Sequence, residues 1–117
     1  MTRIILVRHG ETPWNVEGRY QGQEDIPLSE RGLEQARLLA EGLRDIHIDA
    51  AVASPLKRSF VTCKTSADLH GIEVEIDERL TEINHGSWEG CYAKDIQAKY
   101  PEAFLLWHTK PHLVHMP

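Results

Sequence analysis

The chain has 117 residues, enough for one modest domain with a core, and its 41% hydrophobic and 26% charged composition is ordinary for a globular protein. A formal net charge of −5 argues against the broad basic face of a nucleic-acid binder but leaves room for a local basic pocket. No apolar run approaches bilayer length, and "MTRIILVRHGE" lacks the h-region and cleavage site of a signal peptide, so a cytoplasmic location with no membrane partner is expected.

Residues 3–7, "RIILV", are apolar and β-branched, the pattern of a strand buried on both faces in a parallel sheet. A polar, Gly-containing stretch from Gly10 to Pro27 follows, long for a loop inside a compact domain and of the kind that carries function. Ser29 reads as an N-cap, and Leu33, Ala36, Ala40 and Leu43 give one apolar helical stripe, widened by Leu39 and Ile46. Residues 50–53, "AAVA", predict a second strand. "SPLKR" then predicts a helix start, with Ser54 as cap and Pro55 at the first helical position. Leu56, Phe60, Cys63 and Ala67 fall on one face of that helix, and Gly71 is its stop. "EVEID" at 73–77 predicts a third strand. The tail from Tyr100 to Pro117 holds three prolines and three histidines and shows no periodicity.

Strand, helix, strand, helix, strand is the order of an α/β fold with a largely parallel sheet. The two cysteines, Cys63 and Cys91, lack metal-type spacing and read as reduced thiols.

Ligands of open parallel sheets bind beyond the carboxyl ends of the strands. Three segments fall there: Arg8, His9 and Gly10 after strand one, Ser54 to Arg58 after strand two, and Glu82 to Gly90 after strand three. Two arginine forks and a helix N-terminus favour an anion with phosphate geometry. A neutral imidazole between them is a nucleophile toward phosphorus, and Gly10 would leave room for a phosphoryl group. Taken singly, an R-H-G tripeptide is a packed or solvated histidine, S-P is a cap and Glu82 a surface charge; their combination in order points to chemistry.

"LVRHGETPWN", "YQGQEDIPLSERGLEQA", "ASPLKRSFVTC" and "LTEINHGSWEG" together cover nearly all of residues 3–90. In these motifs the chain resembles the histidine phosphatase superfamily, in its phosphoglycerate mutase-like branch. The resemblance implies a three-layer sandwich with a mostly parallel central sheet and helices on both faces. It implies that His9 is the phosphorylated nucleophile, that Arg8 and Arg58 grip the phosphoryl group and that Glu82 donates a proton to the leaving oxygen. With Arg8 and Arg58, the residues Gly10, Glu11, Thr12, Asn15, Gln21 and Gly22 would bind the substrate, Gln21 and Gly22 as the substrate-loop pair. Neither metal nor cofactor is required, and the implied partner is a small phosphorylated substrate.

The family's second catalytic histidine has no counterpart here. The 117 residues are therefore expected to be the N-terminal portion of a single domain, incomplete at its C-terminus, poorly active alone and prone to form a homo-oligomer through an open sheet edge. His108, His112 and His115 do not replace that histidine, since Pro111 breaks the helix that would align them. His85 is expected at the rim of the site. The family's mutases carry an Arg-His-Tyr-type sequence where this chain has "INHGSWEG", and Thr-Gly where it has Gln21-Gly22. Phe60 stands where some relatives place a basic residue. Phosphomonoester hydrolysis is thus favoured over mutase-type (isomerase) transfer, with a non-catalytic phosphate-binding or interaction module as the further alternative.

Overall fold

The computed structural model describes residues 1–115; Met116 and Pro117, the end of the predicted irregular tail, lie outside the described residues. The elements in order are α1 (Pro13–Glu17), α2 (Glu30–Gly42), β1 (Ala51–Ala53), α3 (Lys57–Leu69), β2 (Val74–Ile76), α4 (Ala93–Lys99) and α5 (Pro101–Thr109). Short 3₁₀ turns occupy Glu78–Leu80, Gly86–Trp88 and Pro111–Leu113. β1 and β2 pair in parallel, with Ala51 opposite Val74 and Ala53 opposite Ile76, and α3 is the crossover between them. The architecture is α/β.

Each end of α3 has a physical cause. At its C-terminus, the N–H of Ile72 donates to Ala67 O (3.2 Å) and that of Gly71 to Asp68 O (3.3 Å). This is a Schellman closure, and it needs the left-handed backbone that Gly71 adopts at φ +65°. At its N-terminus the predicted start is corrected: α3 begins at Lys57, not Pro55, and Leu56, in extended backbone, takes the cap position. Ser54 does not cap. The carboxylate of Asp25, from a distant loop, accepts the Lys57 N–H instead (2.7 Å).

Ser29 caps α2 as expected, accepting from the Gly32 N–H. The buried stripe keeps Ala36 and Ala40 of the predicted one, with Gly32 in place of Leu33, which is 50% exposed. Small residues let α2 lie close to α3, which packs in turn on both strands.

The predicted first strand is also corrected. Residues 3–7 form no strand, and Leu6 is 92% exposed and Ile4 76%. A β-strand exists through its ladder of hydrogen bonds, and among the described residues neither β1 nor β2 pairs with this segment. The segment borders an open cleft against Gln35, Ala36 and Leu39 of α2.

The long polar stretch holds a helix that periodicity did not reveal. Thr12 and Asn15 form a reciprocal capping box around Pro13 and start α1. The tail is also more regular than predicted: α5 opens on Pro101 at its first helical position. Trp107 of α5 sets its ring edge against His85, with centroids 5.0 Å apart. Trp88, which is buried, and the half-buried Tyr20 complete this aromatic cluster, with ring centroids 5.3 Å apart.

Candidate active site

The segment Arg8–Thr12 runs from the exposed N-terminal residues into the first turn of α2. Glu11 O accepts the Ser29 N–H (2.9 Å) and the Ser29 hydroxyl (3.1 Å). The Glu11 N–H donates to Gln35 Oε1 (2.9 Å). The backbones touch directly: a Cβ on Gly10 would stand 2.6 Å from Gly32 O. Gly10 is therefore a packing glycine against α2, which differs from the predicted room for a phosphoryl group.

His9 is half-buried. Its Nδ1 lies 2.6 Å from Gly10 O. A carbonyl only accepts, so Nδ1 carries the proton and Nε2 keeps the free lone pair of the neutral ring. Burial lowers the His9 pKa below the ordinary imidazole value. The Gly10 carbonyl and the Glu82 carboxylate oppose that shift, and Arg58 and Arg8 reinforce it. His9 is thus held neutral among the charges of Arg58, Glu82 and Arg8.

Arg58, in the first turn of α3, is 0% exposed. Its Nη1 donates to Glu24 O (2.6 Å) and its Nη2 to Gly22 O (2.5 Å), while its buried Nε has no partner in the protein. Burial lowers the guanidinium pKa; Glu82, Asp25 and Glu89 pull it back up, in that order. Arg58 therefore fastens the 22–24 loop, and its positive charge is felt at His9.

Gly22 turns that loop at φ +55°, and a Cβ there would collide with the Glu89 carboxylate. Glu89 Oε1 accepts the N–H groups of Gln23 (2.8 Å) and His85 (3.1 Å), joining the loop to the 85–89 turn. Gln23 Nε2 donates to Glu82 O (3.3 Å). The Glu82 side chain is exposed, and its charge reaches both His9 and Arg58.

Arg8, His9, Arg58 and Glu82 therefore share one electrostatic neighbourhood, with Arg8 on the outside and exposed. The remaining predicted residues serve the scaffold beneath them. Thr12 is fully buried, and its hydroxyl donates to Gln21 Oε1 (2.5 Å). Asn15 Oδ1 accepts the Thr12 N–H (3.0 Å). Glu11 Oε1 accepts from the Ser29 hydroxyl (3.0 Å). His85 is corrected from rim to interior: it is 8% exposed, between Tyr20 and Trp107, and burial lowers its pKa. Cys63 and Cys91 are free thiols. Among the described residues no cluster of three His, Cys, Asp or Glu side chains could hold a metal.

Sequence reasoning missed two residues. Asp25 caps α3 from outside its own element, which no local pattern signals. Thr62, four residues after Arg58 on the same helical face, gave no signal either: it stands in a polar row with Arg58 and Ser66, off the apolar stripe of Leu56, Phe60, Cys63 and Ala67.

A family model described as histidine phosphatase superfamily (branch 1) matches residues 4–117. Phosphoserine phosphatase 1 of Hydrogenobacter thermophilus is 46% identical over 114 residues, spanning 97% of this chain and 54% of that protein. A probable phosphoglycerate mutase GpmB of an Enterobacter species is 45% identical over 89 residues, 76% of this chain and 41% of that protein. A solved mycobacterial glucosyl-3-phosphoglycerate phosphatase in complex with VO3 superimposes with a TM-score of 0.82 at 39% identity, covering 85% of this chain and 49% of that one. The chain spans about half the length of the curated relatives it matches. With the motifs, the α/β architecture and this match along nearly its whole length, the chain belongs to the histidine phosphatase superfamily, branch 1.

Proposed function

We propose that the protein is a phosphomonoester hydrolase that works through phospho-His9. The observation that carries this reading is the His9 ring, neutral and held by Gly10 O with Nε2 free, beside the buried guanidinium of Arg58. The Nε2 lone pair attacks phosphorus, an N–P bond forms and the P–O bond to the leaving group breaks. Glu82 gives a proton to the departing oxygen. Water then gives a proton back to the Glu82 carboxylate as its oxygen attacks phosphorus; the N–P bond breaks, releasing inorganic phosphate and restoring His9 and Glu82. Arg58 and Arg8 meet the charge on the phosphoryl oxygens, and the protected position of Arg58 strengthens that interaction.

The proposed substrate is a small phosphorylated metabolite, and the relative named phosphoserine phosphatase makes phosphoserine the first compound to assay. The net charge of −5 supports a small-molecule partner over nucleic acid. We place the activity in the cytoplasm, on a three-layer α/β sandwich with helices on both faces of a mostly parallel sheet, free of metal and cofactor. The proposed assembly is a homo-oligomer, which light scattering would test. Mutase-type phosphoryl transfer is the second reading, favoured by the likeness to GpmB.

Brief exposure of the protein to substrate should leave an acid-labile, base-stable phosphoryl group that His9→Ala abolishes without unfolding the chain. A label that persists in His9→Ala overturns the assignment. Release of inorganic phosphate, rather than transfer to a second hydroxyl, separates hydrolase from mutase.

A further inference from the structure

We propose that Thr62 is a positioning residue that helps set the reactive tautomer of His9 through the backbone of Gly10, a role that rests on the hydrolase reading above. Thr62 lies on α3 one turn after Arg58 and is 3% exposed. Its hydroxyl donates to Arg58 O (2.7 Å) and accepts the Gly10 N–H (3.0 Å). A hydroxyl has one proton, so donation to the helix carbonyl fixes its lone pairs toward Gly10. Gly10 in turn offers its carbonyl to His9 Nδ1 (2.6 Å). One side chain thus links the residue that carries Arg58 to the residue that orients His9.

The link is tight because Gly10 has no slack. Its far side is closed by the backbone of Gly32, against which even a methyl group would collide. With the Gly10 N–H anchored at Thr62, its α-carbon pressed on α2, and the next peptide, which carries the Gly10 carbonyl, held through the Glu11 N–H by Gln35 Oε1 (2.9 Å), the direction of the Gly10 carbonyl is determined. That direction selects Nδ1–H over Nε2–H. Without it both tautomers of the neutral ring become populated, and in the Nε2–H form Nε2 has no lone pair to aim at phosphorus. The Gly10 N–H would also be left buried and unpaired, free to draw the loop toward another acceptor.

Thr62→Val keeps the shape and removes the hydroxyl. It should lower kcat by roughly 10- to 100-fold, the scale of misplacing a reacting group by about an ångström, with little change in KM. Thr62→Ser should restore most of the rate, because it keeps the donor and acceptor. The ¹⁵N shifts of the His9 ring should report Nδ1–H in wild type and Thr62→Ser, and a mixture of tautomers in Thr62→Val. A stable Thr62→Val protein with wild-type tautomer and rate overturns the proposal. If Thr62→Val does not fold, Thr62→Ala, read by the same ring shifts, decides in the same way. Loss of the tautomer signature in a protein whose wild type never forms phosphohistidine would uphold the positioning of His9 and defeat the hydrolase reading alone.

Discussion

Asp25 Oδ1 accepts the Lys57 N–H at 2.7 Å, so a carboxylate of this protein already sits at the N-terminus of the helix that carries Arg58. Sequence reading offered that helix end to a substrate phosphate. The structure gives that helix end a carboxylate of its own, beside the loop whose Gly22 and Glu24 carbonyls Arg58 holds. Asp25→Ala should cost about 1 kcal/mol of stability, as for a lost cap. It should also loosen the Gly22 and Glu24 carbonyls from Arg58, raising the apparent Kd for inorganic phosphate several-fold. Asp25→Asn keeps an oxygen acceptor and should recover most of both, by calorimetric titration and thermal melts.

Arg58→Ala removes a charge from the site and orphans two loop carbonyls. We expect kcat/KM to fall by about two orders of magnitude, as for loss of one donor to a developing oxyanion. Stability should fall by about 1–3 kcal/mol, the usual cost of unpaired buried groups. Arg58→Lys should recover part of the stability and little of the rate, because one ammonium cannot span Gly22 O and Glu24 O while also facing phosphate. Equal activity in all three proteins would refute the assignment.

Glu82→Gln tests the proton donor. A general acid matters most when the leaving group is poor. Hydrolysis of alkyl phosphates should slow far more than that of p-nitrophenyl phosphate. Equal slowing of the two would assign Glu82 to binding instead.

His70 provides a pH test away from the site. Its Nδ1 meets Ser66 O (2.9 Å), and its Nε2 meets Leu43 O (3.1 Å) and Ile46 O (2.9 Å). Carbonyls only accept, so the doubly protonated ring suits this position best. The bond to Ser66 O is the largest cause of a pKa raised above 6.5. The folded pKa lies above the unfolded one, so the stabilisation is complete below about pH 6.5 and is lost as pH rises through the folded value. Half-buried His9 and buried His85, whose pKa values burial lowers, act with the opposite sign. The difference in Tm between wild type and His70→Ala, followed across that range, isolates His70 and should shrink as pH rises.

Much of the candidate site could be proposed from the sequence because its residues stand in local patterns. His9 and Arg58 lie in motifs, and Ser29 and Gly71 punctuate helices by rules that need only a few neighbouring residues. What escaped depends on partners far along the chain. "RIILV" has the composition of a buried strand, but strand character is decided by a neighbour's N–H and C=O groups, which composition does not encode. Ser54-Pro55 looked like a helix start until Asp25, far back in the sequence, supplied the cap. His85 looked like a rim residue because nothing local announces that Tyr20 and Trp107 enclose it.

The close approach of Gly10 and Gly32 constrains how this protein can be engineered. Replacing a helical glycine with alanine is a standard route to thermostability, gaining about 1 kcal/mol where space allows. At Gly32 the added carbon would stand 2.0 Å from Glu11 O, and at Gly10 it would strike Gly32 O. Relief at either position shifts the segment that holds His9. A heat-resistance screen would thus find no neutral gain at this seam: substitutions there forfeit folding and turnover together, and durable variants must arise elsewhere, as at Gly42, where an added carbon meets nothing within 4 Å.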